Sequence, residues 1–311
     1  MSERPEAASA ALPVGVLILA KDEEVNLPDC LHSVLGWAAQ VIVVLDPTTR
    51  DRSRGVALGL GAEVVEHSFT NYAEQKNWAL GELPWRHEWV LIVDADERVS
   101  PDLRRDVETV VTTNPSVDAY AVRFRFIFYG RWMRHSWYGT WIVRLLRLGR
   151  ARYEARGVHE HVMVDGPLGY LKGDLIHDGM KGMDDWIAKH NRYATAEAHA
   201  QLNSPDRSVE GRFFGTRIQR RRFLKEQVWR RLPFRPLWLF ILLYFVRLGF
   251  LDGRLGLRFC LMHAVFESFV TAKVWERRVA SNLLVPTYYR RQLADHLTRH
   301  PAEARYYREE Q

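Results

Sequence analysis

Apolar residues fall into short unbroken runs over the first hundred positions, and polar, acid-bearing stretches separate them. Val14–Ala20 (VGVLILA), Val41–Leu45 (VIVVL) and Trp89–Val93 (WVLIV) lack polar alternation, the texture of parallel strands covered on both faces. Glu63–Val65 predicts a shorter strand. Helices are predicted from Asn26-Leu-Pro-Asp towards Leu35, over about Asp51–Leu60, and over Tyr72–Leu80. Ser100-Pro101 pairs an N-cap residue with proline at the first helical position, starting a helix to about Val111. Strand–helix alternation with short connections predicts an α/β fold, a mostly parallel sheet wrapped on both faces. In such sheets ligands bind outside the carboxyl ends of the strands.

From Asp118 to about Ile176 the pattern breaks into short β pieces: AYAVRFRFIF, WIVRLLRL, HVMVDG and YLKGDLIH. They read as an extension of the sheet and a cover over the crevice. Met183–Leu202 predicts a helix with Trp186, Tyr193 and Glu197 on related turns. Ten uninterrupted apolar residues follow later, Leu237–Val246, and the chain stays apolar and helical in pattern to about Trp275. The expected organisation is a disordered lead-in (1–12), an α/β domain (13–205), a basic and apolar helical region (206–300) and a polar tail (301–311). No internal repeat is visible.

Composition narrows the class. The 311 residues, 47% hydrophobic and 12% aromatic, are enough for one large domain or two smaller ones with ample core. Two cysteines, Cys30 and Cys260, one in each half, exclude a disulfide framework and a cysteine metal site, so a reducing cytosolic setting is expected. The lead-in MSERPEAASAAL lacks a positive n-region, and Val14–Ala20 is too short for a secretory signal. The net charge of +6 is unevenly spread: Arg212–Arg235 carries nine Arg or Lys against one acid, Glu226.

The stretch VLIVDADERVS carries the first chemistry. Asp94 and Asp96 end a buried run with one alanine between them, and adjacent carboxylates repel unless a cation joins them. An Asp-x-Asp at a strand end can hold Mg²⁺ or Mn²⁺ shared with substrate phosphates. A surface turn rich in acids is the plainer reading. Asp46, at the end of the second run, should face the same crevice. RGVHEHVMVDG and LIHDG add His159, Glu160, His161, His177 and Asp178. Alternation on a strand would set His159 and His161 on one face, as in a zinc site; an exposed polar hairpin explains them too. Arg144 and Arg147 in IVRLLRL could reach phosphates, or simply alternate along a half-exposed strand.

VLILAKDEEVNLPDCLHSVLGWAAQVIVVLDPTTRD, followed by EQKNWALGELPWRHEWVLIVDADERVS, resembles the family 2 glycosyltransferases of the GT-A fold. RGVHEHV, LKGDLIHDG and FVRLGFLDGRLGL resemble the bacterial subgroup that adds glucose to lipopolysaccharide inner-core heptose, a likeness over roughly residues 13–275. The resemblance implies a Rossmann-like nucleotide-diphospho-sugar transferase using a UDP-sugar and Mg²⁺ or Mn²⁺. Ala20 and Glu23 would flank the base and ribose, Asp46 would meet the uracil, and Lys76 would lie near the nucleotide. Asp94 would contact ribose or a metal-bound water, with Ala95 beside it, and Asp96 would ligate the metal. His177 would be a further metal ligand or a diphosphate contact, and Glu160 the base, with Asp178 next in line. The usual Asp-x-x-Ser-x-Asp-x-Thr appears here as DPTTRDRS, with Pro47 and Arg50 where small residues are common.

Ten apolar residues cannot span a bilayer, which takes about 20. Leu237–Val246 is therefore either a buried core helix or part of a membrane-associating region. Gly211–Leu232 mixes arginine with Phe, Leu and Trp, as a helix lying in the interface does, with cations towards anionic headgroups. Nucleic-acid surfaces rarely carry an adjoining apolar run, so no nucleic acid is expected. The expected protein is a cytoplasmic, inverting hexosyltransferase, peripheral on the inner face of the plasma membrane, with a lipid-linked or lipopolysaccharide-core glycan acceptor. The rivals are a polyprenyl-phosphate glycosyltransferase and a non-catalytic nucleotide- or membrane-binding protein on the same fold.

Overall fold

The first apolar run becomes the centre of a sheet. In the computed structural model, which describes residues 11–137, 141–156, 159–179, 181–203, 224, 228–280 and 287–299, β1 (Leu12–Ala20) pairs in parallel with β2 (Ala38–Leu45) and with β4 (Trp89–Asp94). β3 (Glu63–Glu66) adds in parallel to β2. Beyond β4 the sheet continues through β8 (Trp141–Arg147), β6 (Ala119–Phe128), β11 (Leu168–His177) and β5 (Glu97–Val99), giving the order β3-β2-β1-β4-β8-β6-β11-β5. β8 runs antiparallel to both neighbours, while β6 and β11 are parallel to each other. β7 (Arg131–Trp132) pairs with β6, and β9 (Ala151–Arg156) and β10 (His159–Val164) form a separate hairpin.

Alternation along each strand feeds two cores. Val14, Val16 and Ile18 face one side with Val41, Val43, Leu91 and Val93, packed by Leu27 and Leu31 of α1 (Leu27–His32) and by Leu103 and Val107 of α4 (Pro101–Thr113). Leu17, Ile42, Val44, Val90 and Ile92 face the other, against Ala73 and Ala79 of α3 (Tyr72–Glu82) and Tyr153 of β9. Being covered on both faces removes any polar position from these strands, which is why they read as unbroken apolar runs. Each fully buried Val, Leu or Ile contributes about 1.5–3 kcal/mol. α2 (Ser53–Gly59) bridges β2 and β3.

α4 starts as its sequence predicts: the Ser100 hydroxyl accepts from Leu103 N–H at 3.2 Å, and Pro101 opens the helix. The same hydroxyl accepts from Asp174 N–H at 3.3 Å, tying the helix to β11. Gly173 lets the two meet, since a Cβ there would lie 2.1 Å from the Leu103 nitrogen. The three-residue β5 has no counterpart in the sequence reading; it exists only by pairing with the end of β11.

The chain divides into two units, residues 1–181 and 182–311. The described residues of the second are mostly helical. α5 (Met183–Asn203) buries Ala194 and Ala198 against Val270 and Val274 of the long helix α7 (Gly253–Ala280). Between them in sequence come α6 (Arg235–Ile241), a π turn over Leu242–Val246 and a 3₁₀ turn over Gly249–Asp252; α8 (Thr287–Arg299) follows. The apolar run is not a core helix: Leu243 is its one buried residue, whereas Leu237, Trp238, Phe245 and Val246 are exposed. Gly249–Arg278 spans 30 residues and contains an 18-residue stretch of mean hydropathy 1.3, so by length and composition alone it could cross a membrane. The interfacial helix expected over Gly211–Leu232 falls almost wholly outside the described residues, as do the first ten residues and the 301–311 tail.

Candidate active site

Parallel pairing brings the carboxylates to one edge. Leu45 aligns with Ala20 and Asp94 with Leu19, so Asp46 and Asp94 end the strands on either side of β1, two strand spacings or about 10 Å apart. Asp46 is nearly buried and shapes its own turn. Its Oδ1 accepts from Thr48 N–H at 2.7 Å and from the Thr48 hydroxyl at 2.5 Å, and its Oδ2 lies 3.5 Å from Lys21 Nζ. Burial works against the charge, but the Thr48 bonds and Lys21 outweigh it and lower the pKa. The DPTTRDRS stretch keeps its acids at work. Asp51 accepts from Ser53 and from Glu24 N–H, and Arg50 N–H donates to Asp22.

Asp94 and Asp96 look alike in sequence and differ in space. Asp94 is gripped by Arg144 of β8, with Nη2–Oδ2 at 2.5 Å and Nη1–Oδ1 at 3.3 Å. Arg144, 5% exposed, also donates to Glu97 Oε1 at 2.7 Å, and the other Glu97 oxygen accepts from Asp94 N–H at 2.9 Å. Glu97 is fully buried. Burial opposes the Asp94 charge, yet the Arg144 guanidinium and the Lys76 ammonium hold its carboxyl well below the usual range. Burial and the Asp94 charge beside it push Glu97 well up despite Arg144. Sequence reasoning left Arg144 open between phosphate contact and a half-exposed strand; its place beside two acids depends on β8 lying next to β4. Arg147, two strand positions further along β8 from Leu145, pairs with Glu88 and Asn114 away from this cluster.

Asp96 lies against the end of β11. Its Oδ1 lies 3.5 Å from His177 Nδ1, and its backbone carbonyl accepts from Asp178 N–H at 3.0 Å. The His177 ring is fixed by stacking on Phe126, 5.2 Å between centroids, and by the edge of Phe124. Gly179 passes so close that a Cβ would lie 2.5 Å from Asp96 Oδ2. Glu23 is bound by Lys181 Nζ at 2.9 Å and by Asn26 Nδ2 at 2.9 Å. Burial nevertheless raises its pKa, with the Asp96 charge adding to the rise. Lys181, which no motif singled out, also donates to the Asp22 carbonyl and so joins the chain after β11 to the loop after β1.

Lys76 is buried on α3, with its ammonium 5.2 Å from the centre of the Tyr153 ring and close enough to lower the Asp94 pKa. Ala20 and Ala95 are buried at the strand ends. Glu160 lies on β10 with its backbone opposite Ala155; the side chains of His159, Glu160 and His161 lie outside the described residues. Asp96 and His177 suit a hard divalent cation as a two-ligand seat completed by diphosphate oxygens and water. Among the described residues no group of three His, Cys, Asp or Glu converges as an all-protein cage would require.

A profile described as Glycosyl transferase family 2 matches residues 15–177, just over half of the chain, and spans every strand-end acid above. Over 275 residues the chain is 27% identical to the lipopolysaccharide core biosynthesis glycosyltransferase LpsC of Rhizobium meliloti (strain 1021), covering 86% of this chain and 93% of that protein. It is 22% identical over 284 residues to an uncharacterised glycosyltransferase of Rickettsia typhi, covering 88% and 90%. The solved structure of S. aureus TarS 1–349 aligns with a TM-score of 0.42 and 14% identity over 86% of this chain and 92% of that one. By the profile match over residues 15–177, the chain belongs to the family 2 glycosyl transferases.

Proposed function

We propose that the protein is an inverting hexosyltransferase that moves glucose from UDP-glucose to a hydroxyl of a lipid-borne glycan, a lipopolysaccharide core in the first instance. The observation that carries this reading is the division of labour at one sheet edge: Asp94 is neutralised by Arg144, while Asp96 lies 3.5 Å from His177. The name of the Rhizobium relative supports the acceptor class. Asp46, its turn already closed by Thr48, accepts a hydrogen bond from the base through the oxygen nearer Lys21. Asp94, fixed by Arg144, orients the ribose. Lys76 adds positive charge on the α3 side. Asp96 and His177 would hold Mg²⁺ or Mn²⁺, which neutralises the departing diphosphate when bound. Glu160 takes the proton of the acceptor hydroxyl, with Asp178 as the alternative base. The exposed apolar residues of α6 and α7 keep the enzyme peripheral on the inner face of the membrane, where lipid-linked acceptors lie.

The test is UDP release by purified protein with each common UDP-sugar and with Mg²⁺ or Mn²⁺. Turnover of UDP-glucose, dependent on metal and slowed about 10²-fold or more by Asp96→Asn, is expected. The reading fails if no UDP-sugar binds in calorimetry with either metal. A butanol-extractable labelled product would move the acceptor to a polyprenyl phosphate.

A further inference from the structure

The second unit contains a cavity of about 440 Å³ that the transferase reading leaves unused. Its described walls include Gln201 at the end of α5, Arg230 and Arg235 around the start of α6, and Thr271, Trp275 and Arg278 on α7. Its volume falls within the range of small-molecule sites. Those walls carry three arginines and, among the described residues, no acid. Arg235 is 6% exposed; behind the wall it is ion-paired to Glu267 and donates to Gln201 at 3.3 Å. Among the described residues two carboxylates stand behind the wall, Glu267 on Arg235 and Glu197, which accepts from Gln201 at 3.1 Å, so the three arginines of the lining remain in excess. The Nε groups of Arg230 and Arg235 are buried with no hydrogen-bond partner among the described residues. A buried donor without an acceptor is costly, and guanidinium groups in this setting match the oxygens of a phosphate.

The rim has the opposite character. Of the lining residues Phe234 is 78% exposed and Trp275 66%, and Leu237, next in the chain to the lining residue Pro236, is 56% exposed. Aromatic and aliphatic side chains held outward next to a cationic niche suit the boundary between headgroup and acyl chain, where tryptophan concentrates. Inorganic phosphate would satisfy the arginines and leave the rim in water; a phosphodiester carrying acyl chains satisfies both. We propose that this cavity binds the phosphate of one acidic phospholipid, with Phe234, Leu237 and Trp275 against its chains. The proposal deepens the membrane association above by giving it a stoichiometric ligand, and its readout is independent of donor turnover.

Titration of the full-length protein with monomeric dihexanoyl-phosphatidylglycerol, below its micelle concentration, tests this. Saturable one-to-one binding is expected, at least 10-fold weaker for dihexanoyl-phosphatidylcholine. Arg230→Gln with Arg278→Gln should weaken it at least 10-fold. Arg254→Gln with Arg258→Gln, at the other end of α7 and some 30–36 Å away along the helix, should leave it unchanged. UDP release from soluble donor should be the same in all of them. Equal losses in the two double variants would mean diffuse charge attraction and overturn the site, as would absence of saturation. Displacement of the lipid by inorganic phosphate at equal concentration would make it a free-phosphate site and overturn the lipid assignment. If the Arg230/Arg278 variant does not fold, Trp275→Ser supplies the second reading: it should weaken the lipid and not inorganic phosphate, and unchanged lipid binding would overturn the role of the rim.

Discussion

The two units treat the same kind of residue in opposite ways. In the first, VLIV of β4 and VIVVL of β2 vanish between two layers of helices; in the second, the longer run LWLFILLYFV keeps Leu237, Trp238, Phe245 and Val246 outside. Hydrophobicity alone did not decide this. A strand with helices on both faces has nowhere polar to point, while a short helix can bury one stripe and leave another unmatched.

Substitutions sharpen the contrast, beginning with the largest effect. Arg144→Met should destabilise the first unit by about 3–5 kcal/mol, because it strands Asp94 and Glu97 without their cation; denaturant unfolding measures it. Arg144→Lys, which keeps the charge and loses the fork, should cost less. Next, Leu17→Ala should cost about 2–5 kcal/mol, whereas Leu237→Ala should stay within about 0.5 kcal/mol and instead lower vesicle flotation. Equal costs at the two leucines would break the comparison. Asp96→Asn should slow UDP release by about 10²-fold or more, roughly 2.7 kcal/mol of barrier, with little change in melting temperature.

The smallest effect is one of pH. The Asp46 carboxyl titrates below its ordinary value in the fold, so its contribution is complete above about pH 5 and shrinks as pH falls through about 3.9 and the lower folded value. The stability gap between wild type and Asp46→Asn should therefore be flat from about pH 8 to 5 and close in acid.

The strands of the sheet's parallel half, the Ser100 cap and the placing of Asp46 and Asp94 at one sheet edge were legible because each rests on local pattern plus one rule, that parallel strands end together. Arg144 was not, because its partners lie 47 and 50 residues away and are reached only through the antiparallel pairing of β8 with β4. Glu97 was visible as a third acid, yet nothing local shows that it is the buried one. The difference between Asp94 and Asp96 likewise comes from what stands opposite: a guanidinium for one, an imidazole for the other. In the second unit the arginine-rich composition was readable, but the niche around Arg235 depends on α5, α6 and α7 meeting.

Both cysteines are sealed, and each unit has one. Cys30 has no exposed surface, with its sulfur 3.6 Å from the Asp94 carbonyl; burial, with the charges of Glu97, Asp96 and Asp94, pushes its thiol well above the usual range. Cys260 is equally covered. Alkylating reagents attack the thiolate, so each sulfur reacts only when its surroundings open. The chain thus carries two native clocks: Cys30 times the loosening of the acid crevice, and Cys260 that of the helical unit.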